Sequence, residues 1–298
     1  MQEVISSLED EYLIYKLSQT PHPPKRLYIK GNLHRTNSGR TEGPPTLHKF
    51  ITIVGSRSCS EYAKQVTEEI CASLKGQSIT IVSGLAHGVD TYAHKFALKY
   101  NLHAIGVLGC GLSEKNLIQH HNYKLAHKIL DLGGALISEY DPNKSSRPYM
   151  FPARNRIMVG LSDIVIIIEA KEKSGTSITA RLATDYNRDL IVVPNSIYSH
   201  FSKGSNELIK QGAYVYTKPE DIFNLLKIEY KEEQKINSYT PTQLEKEILY
   251  AIQNNIQTTQ FIIEQLSSIC TVSEIVQALL NLEIEEVIKR VEGKYILI

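Results

Sequence analysis

Six short runs rich in Val, Ile and Leu, separated mostly by stretches of helical length, constrain this chain more than any other feature. They are FITIVG (50–55), ITIVSG (79–84), AIGVLG (104–109), GALISE (134–139), DIVIIIEA (163–170) and LIVVP (190–194). Each is followed by Gly, Ser or a polar residue. Apolar runs of this kind, without sustained alternation, predict strands covered on both faces, which is the environment of a parallel sheet with crossover helices. The β-α repetition therefore predicts an α/β fold: a doubly wound, mainly parallel sheet. AYVY (213–216) predicts one more strand, and KPEDIFNLL closes the domain with a helix. The predicted domain spans residues 46–226.

The flanks read differently. Residues 1–45 form an irregular extension, with a short helix predicted over Asp10 to Leu17. Prolines then exclude helix, and Leu27–Ile29 reads as a short edge strand. HRTNSGRTEGPP, which follows, reads as a polar loop. Residues 227–241, charged and ending in proline, read as a linker. In 242–298, TQLEKEILYAI, TTQFIIEQLS and TVSEIVQALLNLEIE predict three helices. VIKRVEGKYILI predicts a hairpin about Glu292-Gly293. Three helices and a terminal hairpin are the order of a winged helix.

Charge is nearly balanced over the whole chain, at +1, but unevenly spread. From residue 240 onward four Lys/Arg face eight Glu, so the cationic excess lies in the larger domain. That excess is mild, and nucleic-acid binding requires it to be clustered in space. Cys59, Cys71, Cys110 and Cys270 form no CxxC pair and have no His at metal-ligand spacing, which predicts a reduced cytoplasmic setting and no metal. No apolar run reaches membrane-spanning length, and the acidic N-terminus lacks the pattern of a signal peptide.

Ligands of doubly wound sheets bind beyond the carboxyl ends of the strands. Four segments lie there. In VGSRSCSEY, Gly55 permits a tight turn and Ser56, Ser58 and Ser60 can cap the next helix. The helix amides with Arg57 suit a phosphate; a simple capped turn with Arg57 in solvent fits the residues equally well. In SGLAHGVDTYAH, Asp90 and His94 fall at i and i+4. Asp90 could orient His94 as a base, but a buried hydrogen bond fixing the strand–helix junction is the preferred reading.

SEYDPNKSSRPYMFPARNRIMVGLSD carries Lys144, Arg147, Arg154 and Arg156, with Tyr149 and Phe151 among them. Cations interleaved with aromatics suit single-stranded nucleic acid, where cations hold phosphates and rings stack on unpaired bases. Arg154 and Arg156 cannot both face inward on one regular helix, so one of them is expected to be structural. In EAKEKSGTSITA, Ser174, Gly175, Thr176 and Ser177 offer amides and hydroxyls to an anion. Glu169 is a candidate catalytic carboxylate, or it ends its strand by pairing with an arginine; the pairing is favoured. GxGxxG, the P-loop, a nucleophile elbow and a metal cluster are all missing from the sequence, so the expectation is a binder without a cofactor.

VGSR, SGLAHGVDTYAH, VLGCGL, GGALISEY, FPARNRIMVGLS and EAKEKSGTSITA occur in the order and spacing of the DprA/Smf family, which the chain resembles from about Leu27 to Leu226. The resemblance implies an extended Rossmann-like fold that dimerises, binds single-stranded DNA in a positive pocket and delivers it to the RecA recombinase during natural transformation. By position it implies that Gly55, Ser56 and Arg57 meet phosphate and that Phe151 stacks on a base. Arg154, Asn155 and Arg156 would line the pocket, and Ser174, Gly175 and Thr176 would add loop contacts; Lys144 and Arg147 join them as DNA-binding candidates from the pattern of cations and aromatics above. The tail resembles the winged helix of many members. Its third helix is acidic, so contact with protein is expected there rather than duplex DNA.

Three positions depart from the family pattern. His87 stands where an arginine is common, only Asn122 survives of an expected motif after VLGCGL, and Pro194-Asn195 replaces Pro-Gly, with Asn able to adopt φ > 0. The expected partners are single-stranded DNA, RecA and a second copy of the chain, with binding that weakens in salt and has little sequence preference. The alternative is a nucleoside monophosphate phosphoribohydrolase. Against it, SGTSITA lacks the paired glycines and following Glu of the PGGxGTxxE signature.

Overall fold

The computed structural model describes residues 13, 15–33, 48–172, 174–230, 241–285, 287–291 and 293–297. The chain divides into two compact units, Met1–Lys231 and Glu232–Ile298.

The first unit is built on an eight-stranded sheet of order β1-β5-β4-β3-β2-β6-β7-β8. The strands are β1 (Tyr28–Gly31), β2 (Lys49–Val54), β3 (Ile79–Ser83), β4 (His103–Val107), β5 (Ala135–Ser138), β6 (Ile164–Ile167), β7 (Asp189–Val192) and β8 (Tyr214–Val215). All neighbouring pairs are parallel except β1, which lies antiparallel on β5 with Ile29 opposite Ile137. The expected edge strand is therefore present, shifted by one residue at its start. All eight strands fall where Val/Ile-rich runs or the two shorter expected strands lie.

The helices of this unit are α1 (Glu61–Ser73), α2 (Val89–Lys99), α3 (Glu114–Ile118), α4 (Tyr123–Asp131), α5 (Met150–Leu161), α6 (Gly175–Asp185), α7 (Lys203–Lys210) and α8 (Glu220–Leu226). Successive residues of a strand point to opposite faces, and β2 shows why both faces are apolar. Ile51 and Ile53 join a core with Ile70 of α1, Ala93 of α2, Ile129 of α4 and Phe223 of α8. Phe50 and Val54 join another with Ile157 of α5 and Ala180 of α6. Leu13 and Leu17 pack into that second core. There Lys16 Nζ meets Asp163 Oδ1 at 2.9 Å, and Asp163 Oδ2 accepts the Phe50 N–H at 2.7 Å. Leu13 and 15–18 are helical, whereas the expected start at Asp10 and the loop 34–45 lie outside the described residues.

β2 occupies the centre of the sheet. From it the chain winds outward through β3, β4 and β5, then crosses to β6 on the other side of β2. The chain leaves β2 toward α1 on one face and β6 toward α6 on the other. Loops that part in this way leave a crevice at the switch point.

In the second unit, α9 (Gln243–Gln253), α10 (Thr259–Leu266) and α11 (Val272–Ile284) precede β9 (Ile288–Val291) and β10 (Lys294–Leu297). The two strands pair antiparallel, Tyr295 opposite Arg290. Thr242, Thr258 and Thr271 cap the three helices, and Ile248, Ile262, Ile275, Leu282 and Tyr295 share one core. Of the expected linker, 231–240 lies outside the described residues. Among the described residues no helix is long and apolar enough to cross a membrane.

Candidate functional site

A cavity of about 430 Å³ opens at the crevice, and all four strand-end segments reach it: Gly55–Ser58 after β2, Ala86 and Asp90 after β3, Phe151, Pro152, Arg154 and Asn155 of α5, and Lys171 with Ser174–Thr176 before and in α6. A second cavity of about 320 Å³ shares Arg57, Ala86, Phe151 and Arg154 with it. Arg57 is exposed, and Phe151, half-buried, stands on the wall common to both.

Arg154 is only 4% exposed. Its Nη1 donates to the Val107 carbonyl at 2.6 Å. Glycine is required beneath it, because a Cβ on Gly84 would lie 1.8 Å from the guanidinium. Asp90, buried opposite, accepts the Gly84 N–H at 3.2 Å. Burial pushes the Asp90 carboxyl above the usual range, and the Arg154 charge draws it back. The preferred reading of this segment holds: Asp90 fixes the strand–helix junction through a buried hydrogen bond to Gly84, with the Arg154 charge beside it, and does not serve to orient His94 as a base. His94 is fully buried, and burial pushes its imidazole down to about 4.

Two residues apart on a helix are about 200° apart around its axis, so Arg156 faces away from Arg154. It lines neither cavity. It donates to the His22 carbonyl at 2.6 Å and pairs with Glu139. The expectation that Arg156 lines the pocket is corrected accordingly. Asn155 does line the cavity, with Nδ2 donating to Thr179 Oγ1 at 3.0 Å. Lys144, Arg147 and Tyr149 lie on the exposed loop before α5 and line neither cavity, although Ser145 and Ser146 of that loop reach the second.

The amino end of α1 is already occupied. Ser60 is its cap, accepting from the Ala63 N–H at 3.1 Å. Glu169 receives the Ser60 N–H at 3.0 Å, the Ser60 hydroxyl, and Asn195 Nδ2 at 3.2 Å. Two expectations change here: Glu169 pairs with a helix terminus rather than an arginine, and α1 does not offer its end to a ligand. Ser56 instead bonds within its turn, its hydroxyl donating to the Ser58 carbonyl at 2.9 Å. The start of α6 carries a Ser174–Ser177 capping box but no carboxylate, and it leaves Gly175 and Thr176 with N–H groups that an α-helix does not satisfy internally.

Asn195 is not among the left-handed residues, so it serves through its side chain and not its φ. Beside the site, Leu85 does take that conformation, at φ 54° and fully buried. Asn122 explains it, donating Nδ2 to the Leu85 carbonyl at 3.0 Å and to Thr91 Oγ1 at 2.6 Å. Gly88 lets the loops of β2 and β3 meet, since a Cβ there would fall 2.1 Å from the Ser56 carbonyl. Lys171, which sequence reasoning did not single out although it lies in the quoted EAKEKSGTSITA, adds an exposed cation to the cavity; its Nζ sits 4.8 Å from the Phe201 ring centroid. His120 and His121 were also missed. Among the described residues no group of three or more His, Cys, Asp or Glu could hold a metal ion.

A mostly parallel sheet wound both ways from its centre, with a cavity carrying exposed cations at the switch point, defines a Rossmann-like α/β protein equipped for anions. The family described as DNA recombination-mediator protein A matches residues 3–227, and the chain belongs to that family. It is 35% identical over 297 residues to protein Smf of Escherichia coli, covering 97% of this chain and 75% of that one. It is 35% identical to DNA processing protein DprA of Streptococcus pneumoniae, over 72% of each chain. The solved structure of the S. pneumoniae protein superposes with a TM-score of 0.62 at 32% identity, over 76% of this chain and 74% of that one. The DNA processing protein A structure from Helicobacter pylori, which concerns its single-stranded DNA binding mode, gives 0.60 at 32% identity, over 72% and 93%.

Proposed function

We propose that the chain binds single-stranded DNA across the switch-point cavities and hands it to RecA during transformation and recombination. One observation carries this reading: exposed Arg57 and half-buried Phe151 line both cavities, so that a cation and a ring face the same space, as phosphate and unpaired base require. Asn155, Ser174, Gly175, Thr176 and Lys171 complete the first cavity; Gly55 and Ser56 shape the Arg57 turn; buried Arg154 supports Phe151. Lys144 and Arg147, exposed beside the site, meet flanking phosphates. The relative from H. pylori, with its single-stranded DNA binding mode, supports the ligand.

The reading is of a binder and not an enzyme. Glu169, the carboxylate a hydrolase would use, is fully buried with its oxygens engaged by Ser60 and Asn195. By resemblance to the family, the chain acts as a cytoplasmic homodimer with little sequence preference. Residues 242–298 form a winged helix that contacts protein. Its element order supports that assignment, and so do the exposed Val272, Val276, Leu280 and Ile284, which recur every four residues along α11.

The test is fluorescence anisotropy of a labelled oligo-dT over a salt series, for wild type and Arg57→Ala. Removing one cation that neutralises a phosphate should lower the log–log salt slope by about 0.7. Binding that ignores Arg57 sinks the site, and nucleoside monophosphate hydrolysis would then be assayed.

A further inference from the structure

The second cavity carries a feature that the phosphate-and-ring reading does not use. Three imidazoles from two separate turns form one stack in its wall. His87, on the loop after β3, lies with its ring centroid 3.7 Å from that of His121, the planes 25° apart. His121 stacks in turn on His120 at 4.3 Å. His120 and His121 both come from the turn between α3 and α4. Stacked rings direct their nitrogens side by side and not toward one point, which suits a metal poorly.

The groups facing this stack are cationic or neutral. Arg57 reaches it from the loop after β2, Arg154 from α5 and Cys110 from beyond β4, while Asn116 and Gln119 come from α3 and its end. Among the described residues that line the cavity none is a carboxylate. Burial lowers the His121 imidazole and the charge of His87 lowers it further, a backbone hydrogen bond to Leu85 raises it in part, and the charge of Arg57 adds to the lowering. His120 is held at about 4 by burial and by His121, Arg154 and His87. The His120 Nδ1 also accepts the Asn122 N–H at 3.2 Å, which keeps a proton off that atom. The empty cavity therefore has room for more positive charge in its exposed pair, His87 and His121, but lacks the anion that would stabilise it.

We propose that the second cavity is a further phosphodiester subsite for the same strand, in which the His87–His121 pair takes up one proton together with the phosphate, so that strand affinity rises as the pH falls. This inference rests on the single-strand reading. A phosphodiester stays anionic throughout the range, and its charge supplies the missing counterion. Proton and phosphate then bind cooperatively, by linkage. Below the pKa of the empty pair the gain is complete; above the pKa of the occupied pair it is gone. Between the two, uptake of one proton changes Kd by at most about tenfold per pH unit. If the stack served only as an uncharged platform for a base, affinity would not follow pH.

The test is oligo-dT anisotropy at constant ionic strength from about pH 5.5 to pH 8, where thymine does not titrate and imidazole does. Circular dichroism monitors the fold at each pH. Wild type should bind progressively tighter toward the acid end. The double variant His87→Gln/His121→Gln should bind with a flat profile, and His87→Arg should retain at pH 8 the affinity that wild type reaches only at lower pH. His127→Gln, removing a histidine that pairs with Glu114 at 2.9 Å, should keep the wild-type slope. A flat wild-type profile with binding still lost in Arg57→Ala overturns the proton-coupled subsite and leaves the single-strand reading standing. So does a slope that survives the double variant. No binding at any pH overturns both.

Discussion

Glu169, at the end of the most apolar strand, accepts the backbone N–H of Ser60 at 3.0 Å and so ties β6 to the start of α1. The carboxylate is fully buried, lies at the positive end of a helix and also holds Asn195 beyond β7. It is the knot joining three strand-end loops around the cavity. Glu169→Gln keeps the shape but turns an NH₂ donor toward groups that themselves donate. The expected loss is about 1–3 kcal/mol of stability by urea unfolding, the range for a buried donor left unpaired. Oligo-dT affinity should weaken with it, because the Arg57 turn shares the anchor. Unchanged unfolding and unchanged affinity would show that the knot is dispensable.

Arg156 separates fold from function. It pairs with Glu139 and caps the His22 carbonyl, away from both cavities. Arg156→Ala should therefore lower stability by about 1 kcal/mol and leave the salt slope of DNA binding where wild type has it. A slope reduced as in Arg57→Ala would return Arg156 to the site.

His94 makes stability depend on pH. Its folded-state pKa, pushed down to about 4 by burial, lies below that of an imidazole in the unfolded chain. Below the unfolded value the unfolded chain takes a proton that the fold refuses. The contribution is thus intact above pH ~6.5 and drains away as pH falls toward 4, by up to ~3 kcal/mol at ~1.4 kcal/mol per unit. Urea midpoints measured between about pH 7 and pH 4.5 should fall with this sign, and His94→Leu should flatten the trend. A midpoint that rises on acidification contradicts the assignment. The direction opposes the expected gain in strand affinity, so binding and unfolding curves will separate the two imidazole populations.

The sheet was legible because burial on both faces writes itself into continuous runs such as DIVIIIEA, and local composition suffices to find them. The four site segments were legible for a related reason: strand ends in such a sheet converge by topology alone. Partners across the fold left no such trace. That Glu169 would meet Ser60, 109 positions away, depends on how two loops part at β2 and β6. Which of Arg154 and Arg156 turns inward depends on the rotation of α5 against the sheet, set by Ile157, Met158 and Leu161 in the core. The histidine stack joins positions 87 and 121 through an Asn122 contact to the Leu85 carbonyl, a link no periodicity encodes.

The terminal unit offers a last and separable expectation. Duplex readers of winged-helix type insert the third helix, and phosphate contacts need cations. α11 carries Glu274 and Glu283 and no Lys or Arg. Its outward positions Val272, Val276, Leu280 and Ile284 are instead exposed and apolar, a pattern that suits a protein surface. Among the described residues the cations of this unit lie elsewhere: Lys246 on α9, and Lys289, Arg290 and Lys294 on the hairpin, where Arg290 sits 5.8 Å over the Tyr295 ring. Removing residues 242–298 should therefore leave oligo-dT affinity within about twofold, and the isolated unit should not retard duplex DNA at moderate salt. Leu280→Asp, at a position 54% exposed, should change stability by no more than about 0.5 kcal/mol while abolishing any partner binding made through α11. Retardation of duplex DNA that disappears with Lys289→Ala/Arg290→Ala would instead assign the hairpin, and not the helix, to nucleic acid.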